Sequence, residues 1–267
     1  DSSPYLPSSR RFLNPLYIRP EAVPEYANLA QPTRRRIRKL RKSVRKRREI
    51  IDRDAVWEGK REALWELFQA GRRPARQVSL NGFRRRGGSA LRDFAVWSVL
   101  SEIHGNDWRL WPEELRDPRS AATEKFAAAQ AERVEFFEWL QWTAQQQLSA
   151  AQTAAEEAGM GVGVLADLAV GVGKASAETW LMGDVYAPGI TVGAPPDQYN
   201  QGGQDWGQPP WNPLKLEELE YEPFRAMVRA ALNRVGGLRI DHIIGLFRLW
   251  WVPEGLEPSA GTYVRYN

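Results

Sequence analysis

Apolar residues recur every three or four positions over much of the first 160 residues, and this spacing predicts amphipathic helices. It covers residues 33–68, residues 91–103 and residues 121–158. The core-facing positions of the second and third stretches are Phe94, Trp97, Leu100, Val134, Phe137, Leu140 and Leu148. We therefore predict a mainly helical region over residues 33–158.

The segments around these helices carry residues typical of turns. Residues 1–32 are rich in Ser and Pro, which predicts extended chain and turns. Gly71 is the predicted C-terminal cap of the first helical stretch. Asn81-Gly82 and Gly87-Gly88 are predicted turns between the first and second stretches.

The pattern changes after Gly159, where short apolar runs alternate with helices. Residues 162–165 form one apolar run, which stops at Asp167. A helical stretch over residues 216–235 then precedes a second run, residues 238–240, which leads into Asp241. Helices that alternate with short apolar strands predict an α/β fold with a parallel sheet buried on both faces. Side chains at the carboxyl ends of such strands surround active sites, although an Asp there can also cap a helix or stabilise a turn.

The residues around Asp241 favour a catalytic role for this carboxylate over a purely structural one. Arg239 lies two positions earlier on the predicted strand, so both side chains project from one face. An adjacent guanidinium lowers the pKa of a carboxyl group, which suits Asp241 to act as a nucleophile or a charge stabiliser. His242 follows, either as a hydrogen-bonded core residue or as a donor to substrate hydroxyls. The chain has only two His, which excludes a multi-His zinc site.

Residues 188–213 are predicted to form a long ligand-binding loop. Eleven of its 26 residues are Gly or Pro, and its only charged residues are Asp197 and Asp205. It also carries aromatic and amide side chains, namely Tyr199, Trp206, Trp211, Gln198, Asn200, Gln201, Gln204, Gln208 and Asn212. Loops of this length are usually functional or disordered, and disordered segments are poor in aromatic residues. Aromatic faces with neutral amides suit a hydroxyl-rich ligand such as a sugar. The apolar tail over residues 245–253 is interpreted as part of a core helix.

Composition narrows the class of protein. Of 267 residues, 43% are hydrophobic and 26% charged, as in a globular domain, and the absence of Cys excludes a disulfide framework. The net charge of +4 comes from residues 34–48, where 11 of 15 are basic, and the rest has 26 basic against 33 acidic residues. This run has an apolar stripe of Ile37, Leu40, Val44 and Ile51 and no aromatic residue. We interpret it as a charged surface helix, with a nucleic-acid-binding helix as the less favoured alternative.

Several separated segments resemble one family. They are Ser3-Pro4-Tyr5 with Asn14-Pro15-Leu16, residues 163–171 with Ala177-Glu178-Thr179-Trp180, residues 193–209, Leu238-Arg239-Ile240-Asp241-His242, and Gly261-Thr262-Tyr263-Val264. In this order they resemble the 4-α-glucanotransferases of glycoside hydrolase family 77, called amylomaltases or disproportionating enzymes. Ala166 and Gly173-Lys174 depart from the usual residues.

The resemblance implies a fold and a division of the chain. The fold would be a partial (β/α)8 TIM barrel with a large helical insertion. Residues 1–32 would form an N-terminal part of the catalytic barrel at the edge of the active site, and residues 33–158 the helical insertion. Residues 159–267 would supply barrel strands and the active-site loop 188–213.

The resemblance also implies an activity, which is transfer of α-1,4-glucan segments between maltooligosaccharides by a retaining double displacement. Asp241 would be the nucleophile and Arg239 its ion partner. The implied substrate-binding residues are Tyr5, Asp167, Asp197, Gln204, Trp206 and His242. The expected enzyme is cytoplasmic, needs no metal or organic cofactor, and has no nucleic-acid or membrane partner.

The general acid of the family is a Glu on the strand after the segment matched by residues 261–264. Glu254 and Glu257 do not lie in that motif. We therefore expect these 267 residues to be an internal fragment that is inactive without the acid. The alternatives are a non-catalytic glucan-binding fragment and a nucleic-acid-binding helical protein that uses residues 34–48.

Overall fold

A computed structural model describes residues 5–46 and 52–267, and its first part is helical as the apolar spacing predicts. The helices are α1 Gln31–Lys46, α2 Arg53–Gln69, α3 Pro74–His104, α4 Ala121–Ala129 and α5 Ala131–Glu157. Gly71 follows α2 with φ of 74°, the left-handed conformation that ends a helix at little cost to glycine. The predicted single helix over 121–158 is broken at Gln130, where the backbone leaves helical geometry before α5 begins.

The core of this helical part is built around α5. Phe136 and Trp139 are fully buried, and Phe136 packs edge-on against Trp65 and Phe68 of α2 at ring-centroid distances of 5.1 and 5.6 Å. Edge-to-face aromatic pairs are favourable beyond the apolar area that they bury. The predicted core positions Val134, Phe137 and Leu140 are buried as well, but Phe136 and Trp139 are core residues that the sequence prediction did not include.

We expect Phe136→Ala to lower the free energy of unfolding by about 3–5 kcal/mol, because it removes a buried ring and leaves a cavity. Chemical denaturation followed by circular dichroism measures this loss. Leu110→Ala is the control, since Leu110 is 79% exposed and its truncation leaves no cavity. Equal destabilisation by both substitutions would contradict the packing described.

The turn predicted at Asn81-Gly82 is wrong, because this pair lies inside α3, whereas the turn predicted at Gly87-Gly88 coincides with a break in that helix. Leu80 is fully buried, so core packing outweighs the turn preference of the first pair. The second pair leaves a kink, in which Gly88 has φ of 54° and ψ of −147°. Gly88 thus divides α3 into two helical segments, just before the stretch predicted to begin at residue 91.

The basic helix α1 packs as the surface-helix interpretation requires. Ile37 is buried, whereas Arg38 and Lys39 are exposed. Arg36 pairs with Glu62 at 3.5 Å and Arg41 with Glu21 at 3.3 Å. The side chain of Val44 and the whole of Ile51, predicted to continue the stripe, lie outside the described residues.

The N-terminal segment before α1 lies against the helical core. Three short 3-10 turns begin at Pro15, Pro20 and Pro24, each with proline in the first turn, where its fixed φ suits the geometry. Ile18 and Val23 between them are buried. The turns predicted for this Pro-rich segment are confirmed, and they leave the segment compact.

The second part of the chain contains two sheets. The strands are β1 Leu165–Leu168, β2 Ile190–Ala194, β3 Gln204–Gln208, β4 Gly237–Ile240, β5 Arg248–Pro253 and β6 Thr262–Arg265. Strands β1 and β4 pair in parallel, while the other four form an antiparallel sheet in the order β3-β2-β5-β6. The structure thus confirms an α/β fold with parallel pairing between the two predicted units.

Several details of the strand prediction are wrong. Asp167 lies within β1 rather than after it, and Leu165 is 64% exposed, so the described residues do not bury this sheet on both faces. Residues 245–253, taken as helical, include strand β5, because Arg248–Pro253 pairs on both sides with neighbouring strands.

The helices of the second part are short. They are α6 Ala177–Leu181, α7 Pro213–Glu218 and α8 Glu222–Leu232. The helix predicted over 216–235 is interrupted where Glu220 and Tyr221 adopt positive φ, and α8 then packs against β1 and β4. In the described part of the chain, no helix is both long and apolar enough to cross a membrane.

Candidate active site

Arg239 links two other predicted site residues, Asp167 and Asp241, at the parallel strand pair. Asp167 of β1 lies opposite Arg239 of β4 in the strand register. The Arg239 Nη1 donates to both carboxylate oxygens of Asp167 at 2.9 Å, and its Nη2 lies 3.1 Å from Asp241 Oδ2. One guanidinium therefore holds a carboxylate of β1 and a second carboxylate that directly follows β4.

The surroundings of Asp241 favour its ionised form. The backbone N–H of His242 donates to Asp241 Oδ1 at 3.0 Å, and this bond, followed by the charge of Arg239, lowers the pKa of Asp241. Hydrogen bonding to Asp167 raises the pKa of Arg239, so the guanidinium stays charged. Asp241 is consequently an anion at neutral pH and suited to nucleophilic attack.

His242 directs the chain away from β4. It adopts φ of 49° and ψ of 48°, a left-handed conformation that is uncommon outside glycine. Its ring centroid lies 4.8 Å from that of Trp206 on β3. This contact brings the segment predicted as an overhanging loop to the residue next to Asp241.

The predicted loop 188–213 is an ordered hairpin of β2 and β3 rather than irregular chain. Gly193 allows the strands to approach closely, because a Cβ at that position would lie 1.9 Å from the Gln204 carbonyl oxygen. The Trp206 Nε1 donates to Gln204 Oε1 at 3.1 Å, so the amide orients the indole. The sequence missed the hairpin because its Gly and Pro content resembles that of loops.

The remaining two predicted residues lie at opposite ends of this hairpin. Asp197 is at its tip, where Oδ1 accepts the N–H groups of Tyr199 and Asn200, each at 2.7 Å. Tyr5 is 75% exposed near its base, where the Tyr5 carbonyl accepts a 2.9 Å bond from Gln208 Nε2. The structure thus gathers Asp167, Arg239, Asp241, His242, Trp206 and Gln204, while Asp197 stabilises a turn in the hairpin itself.

The sequence of this chain matches that of a known protein family. A family model described as 4-alpha-glucanotransferase, glycoside hydrolase family 77, matches residues 1–267. The chain belongs to glycoside hydrolase family 77. The resemblance stated from the sequence segments is therefore confirmed over the whole length.

Relatives of this family 77 chain carry the same description. A 4-alpha-glucanotransferase of Mycobacterium tuberculosis is 51% identical over 270 residues, and one of Haemophilus influenzae is 33% identical over 288 residues. These alignments cover 100% and 99% of this chain but only 37% and 40% of the relatives. The chain thus spans well under half the length of these two relatives.

Solved structures support the fold. Amylomaltase from Corynebacterium glutamicum is 39% identical with a TM-score of 0.86, covering 100% of this chain and 36% of that one. Amylomaltase from Streptococcus agalactiae in complex with acarbose is 18% identical with a TM-score of 0.83, covering 99% and 54%. The second match is informative for the fold alone.

The family 77 chain also has residues near the site, such as Arg10 and Tyr186, that the sequence prediction missed. A cavity of about 370 Å³ has Asp241 and His242 in its wall, together with Arg10, Tyr186 and Trp211. Arg10 forms a buried ion pair with Glu178. Glu178 lies in the matched Ala177–Trp180 segment, but no spacing rule links it to Arg10, 168 residues earlier. Among the described residues, no group of three or more His, Asp or Glu could hold a metal ion.

Proposed function

We propose that this chain is part of a 4-α-glucanotransferase that transfers α-1,4-glucan segments between maltooligosaccharides. The observation that carries the proposal is that Arg239 bridges Asp167 and Asp241, with Trp206 packed on the adjacent His242, in a family 77 chain. A carboxylate held ionised by a guanidinium suits the nucleophile of a retaining glycosidic reaction, which also needs a second carboxyl group as its acid. The relatives that share the family description support the same activity.

In the proposed first step, Asp241 attacks the anomeric carbon of the donor glucan. The bond from C1 to the leaving oxygen breaks, and a covalent glycosyl-enzyme forms through an Asp241 oxygen. The His242 N–H donates to Oδ1 and Arg239 lies against Oδ2, so together they orient the Asp241 carboxylate as an anion before attack. A second carboxylic acid must protonate the leaving sugar.

The family resemblance assigns that acid to the strand after residues 261–264. Glu254 is engaged by Lys174 at 2.6 Å, and neither it nor Glu257 carries an observation that favours the role. The position of the acid therefore stays a prediction from the family resemblance.

In the proposed second step, the 4-hydroxyl of an acceptor sugar attacks C1 and releases Asp241. Its proton returns to the carboxylate that served as the acid. Transfer in place of hydrolysis requires that water be kept from C1 during the lifetime of the intermediate. Trp206, packed on His242 at the side of Asp241, is the described residue best placed to exclude it.

Substrate contacts follow from exposure and chemistry. The Asp167 carboxylate is 64% exposed and can accept bonds from glucose hydroxyls, while the Trp206 indole offers a stacking face. His242 and Gln204 flank these groups, and Tyr5 and Asp197 are proposed contacts farther along the glucan. The ligand class is thus a neutral maltooligosaccharide or α-glucan.

The proposed fold and division of the protein follow the same family. The parallel β1–β4 pair supports a partial (β/α)8 barrel, with residues 33–158 as its helical insertion and residues 1–32 at the edge of the site. Residues 159–267 supply the site strands and the hairpin. A cytoplasmic location, and the lack of a nucleic-acid or membrane partner, stay predictions.

Incubation of the full-length protein with maltotriose tests the function. We expect glucose together with maltooligosaccharides longer than the substrate, separated by chromatography. Glucose and maltose alone would identify a hydrolase and contradict the proposal. Binding of maltotriose with no products would instead favour a non-catalytic glucan-binding protein.

Trp206→Ala is expected to raise the fraction of hydrolysis relative to transfer, because the truncation opens the site to water. We expect a change in this product ratio of about tenfold, equivalent to one lost interaction of 1.4 kcal/mol. The ratio is read from reducing-end release and chain-length distribution. Trp206→Phe retains an aromatic ring and is the matched control; an unchanged ratio in Trp206→Ala would contradict the role of the indole.

A further inference from the structure

We propose that Arg10 is a positioning residue that fixes the base of the β2–β3 hairpin to the segment following β1. Through these contacts it would set where Trp206 lies relative to Asp167 and Asp241. The placement itself is independent of the activity, and only the product readout rests on the proposed function.

The ion pair at the centre of this arrangement is buried. The side chains of Arg10 and Glu178 are 5% and 4% exposed, and Arg10 Nη2 lies 3.0 Å from Glu178 Oε2. Arg10 also donates its backbone N–H to the same carboxylate, and the Tyr186 hydroxyl donates to it at 3.0 Å. Glu178 thus has several donors, which a buried carboxylate needs.

The charge states agree with a persistent pair. Burial alone would raise the pKa of Glu178, but the charge and hydrogen bonds of Arg10 hold that pKa below its ordinary value. Burial likewise opposes the charge on Arg10, and the Glu178 carboxylate more than offsets it, so the pKa of Arg10 is raised. Both groups therefore remain ionised in the folded protein across the neutral range.

One guanidinium reaches three parts of the site. Its Nη1 donates to the Val170 carbonyl at 3.1 Å, two residues beyond the end of β1. Its Cζ lies 4.4 Å from the centroid of the Trp211 ring, and its Nη2 lies 3.3 Å from the Tyr186 hydroxyl. A planar fork with five donors can make these contacts together, which a lysine ammonium cannot.

Tyr186 and Trp211 are the two ends of the hairpin base. They form an isolated antiparallel bridge, supported by bonds from the Ala187 N–H to Pro210 O at 2.9 Å and from the Asn212 N–H to Val185 O at 2.8 Å. Arg10 therefore contacts both arms of the hairpin at the point where it leaves the body of the protein.

A buried ion pair is weak support for stability by itself, because desolvation offsets much of the attraction. The chain offers a comparison in Arg76 and Glu25, another ion pair with a buried carboxylate, which lies in the helical part. If Arg10 acted only through global stability, substitution of Arg10 or of Arg76 would speed amide exchange at the hairpin base equally. The contacts of Arg10 with Val170, Tyr186 and Trp211 predict that only the substitution of Arg10 has this effect.

Arg10→Lys in the full-length protein tests the proposal, with Arg76→Lys as the matched control. Hydrogen–deuterium exchange of the amides of residues 187 and 212 reports opening of the hairpin base without any need for activity. We expect Arg10→Lys to speed this exchange by about tenfold, the effect of one lost hydrogen bond, and Arg76→Lys to leave it unchanged. Equal acceleration in both variants, or in neither, would overturn the proposal.

Two further measurements complete the test. Tyr186→Phe removes only one hydroxyl, and we expect it to speed the same exchange; it decides the matter if Arg10→Lys does not fold, and unchanged exchange would then overturn the proposal. With maltotriose, we expect Arg10→Lys to raise hydrolysis relative to transfer. Should the unsubstituted protein show no transfer, the proposed function fails, while the exchange result still decides the role of Arg10.

Discussion

Asp241→Asn in the full-length protein is expected to abolish glucan transfer, with kcat falling by about 10⁴-fold or more, as when the nucleophile of a covalent mechanism is removed. The amide is a poor nucleophile and carries no negative charge to stabilise positive charge at C1. Because Asp241 is exposed, we expect the substitution to leave the fold intact. Maltotriose disproportionation under identical conditions measures the loss.

Asp107→Asn is a closely matched control for this substitution. Asp107 pairs with Arg109 at 2.6 Å, also two residues away, and the pair is partly exposed in the helical part of the chain. Its replacement is expected to leave kcat unchanged. Residual transfer by Asp241→Asn above about 1% of the starting rate would assign the nucleophile to another residue.

Arg239→Gln is expected to lower kcat/KM by about 10²–10³-fold, a loss typical of removing one electrostatic stabiliser from an active site. The substitution takes away the cation that lies between Asp167 and Asp241. Without it, Asp241 loses the charge and hydrogen bond of Arg239 that help to lower its pKa, so that pKa rises from its depressed value.

The direction of the pH effect follows from that pKa. Asp241 acts as an anion, so activity is lost as the pH falls through its pKa, and a raised pKa moves this acidic limb to higher pH. The pH profile of kcat/KM measures the limb. Arg239→Lys retains a cation and is expected to shift the limb less than Arg239→Gln; identical profiles for the glutamine variant and the starting protein would contradict the electrostatic role of Arg239.

The parts of this structure that the sequence predicts best are those governed by local periodicity. The helical phase of residues 134–140 follows from apolar spacing, and the Leu238–Ile240 run before Asp241 is part of strand β4. The contact of Arg239 with Asp241 also follows, because residues two apart on a strand share a face. These features depend on neighbours within a few positions.

The remaining features depend on contacts between distant segments. Asn81-Gly82 carries a turn signal, but the burial of Leu80 keeps the chain helical. The Gly- and Pro-rich residues 188–213 form a hairpin because β2 also pairs with β5, which lies some 60 residues later. Arg10 and Glu178 meet only once the whole chain has folded. The sequence pattern near each residue does not predict contacts between such distant positions.

The parallel register of β1 and β4 has a consequence for sequence change in this protein. Asp167 faces Arg239 only because Leu165 lies opposite Gly237, and successive strand residues point to opposite sides. Insertion or deletion of a single residue before Asp167 within β1 would turn its carboxylate away from the guanidinium although no site residue is replaced. Changes of strand length are therefore more damaging here than most substitutions, and the spacing between motifs is as informative as the motifs.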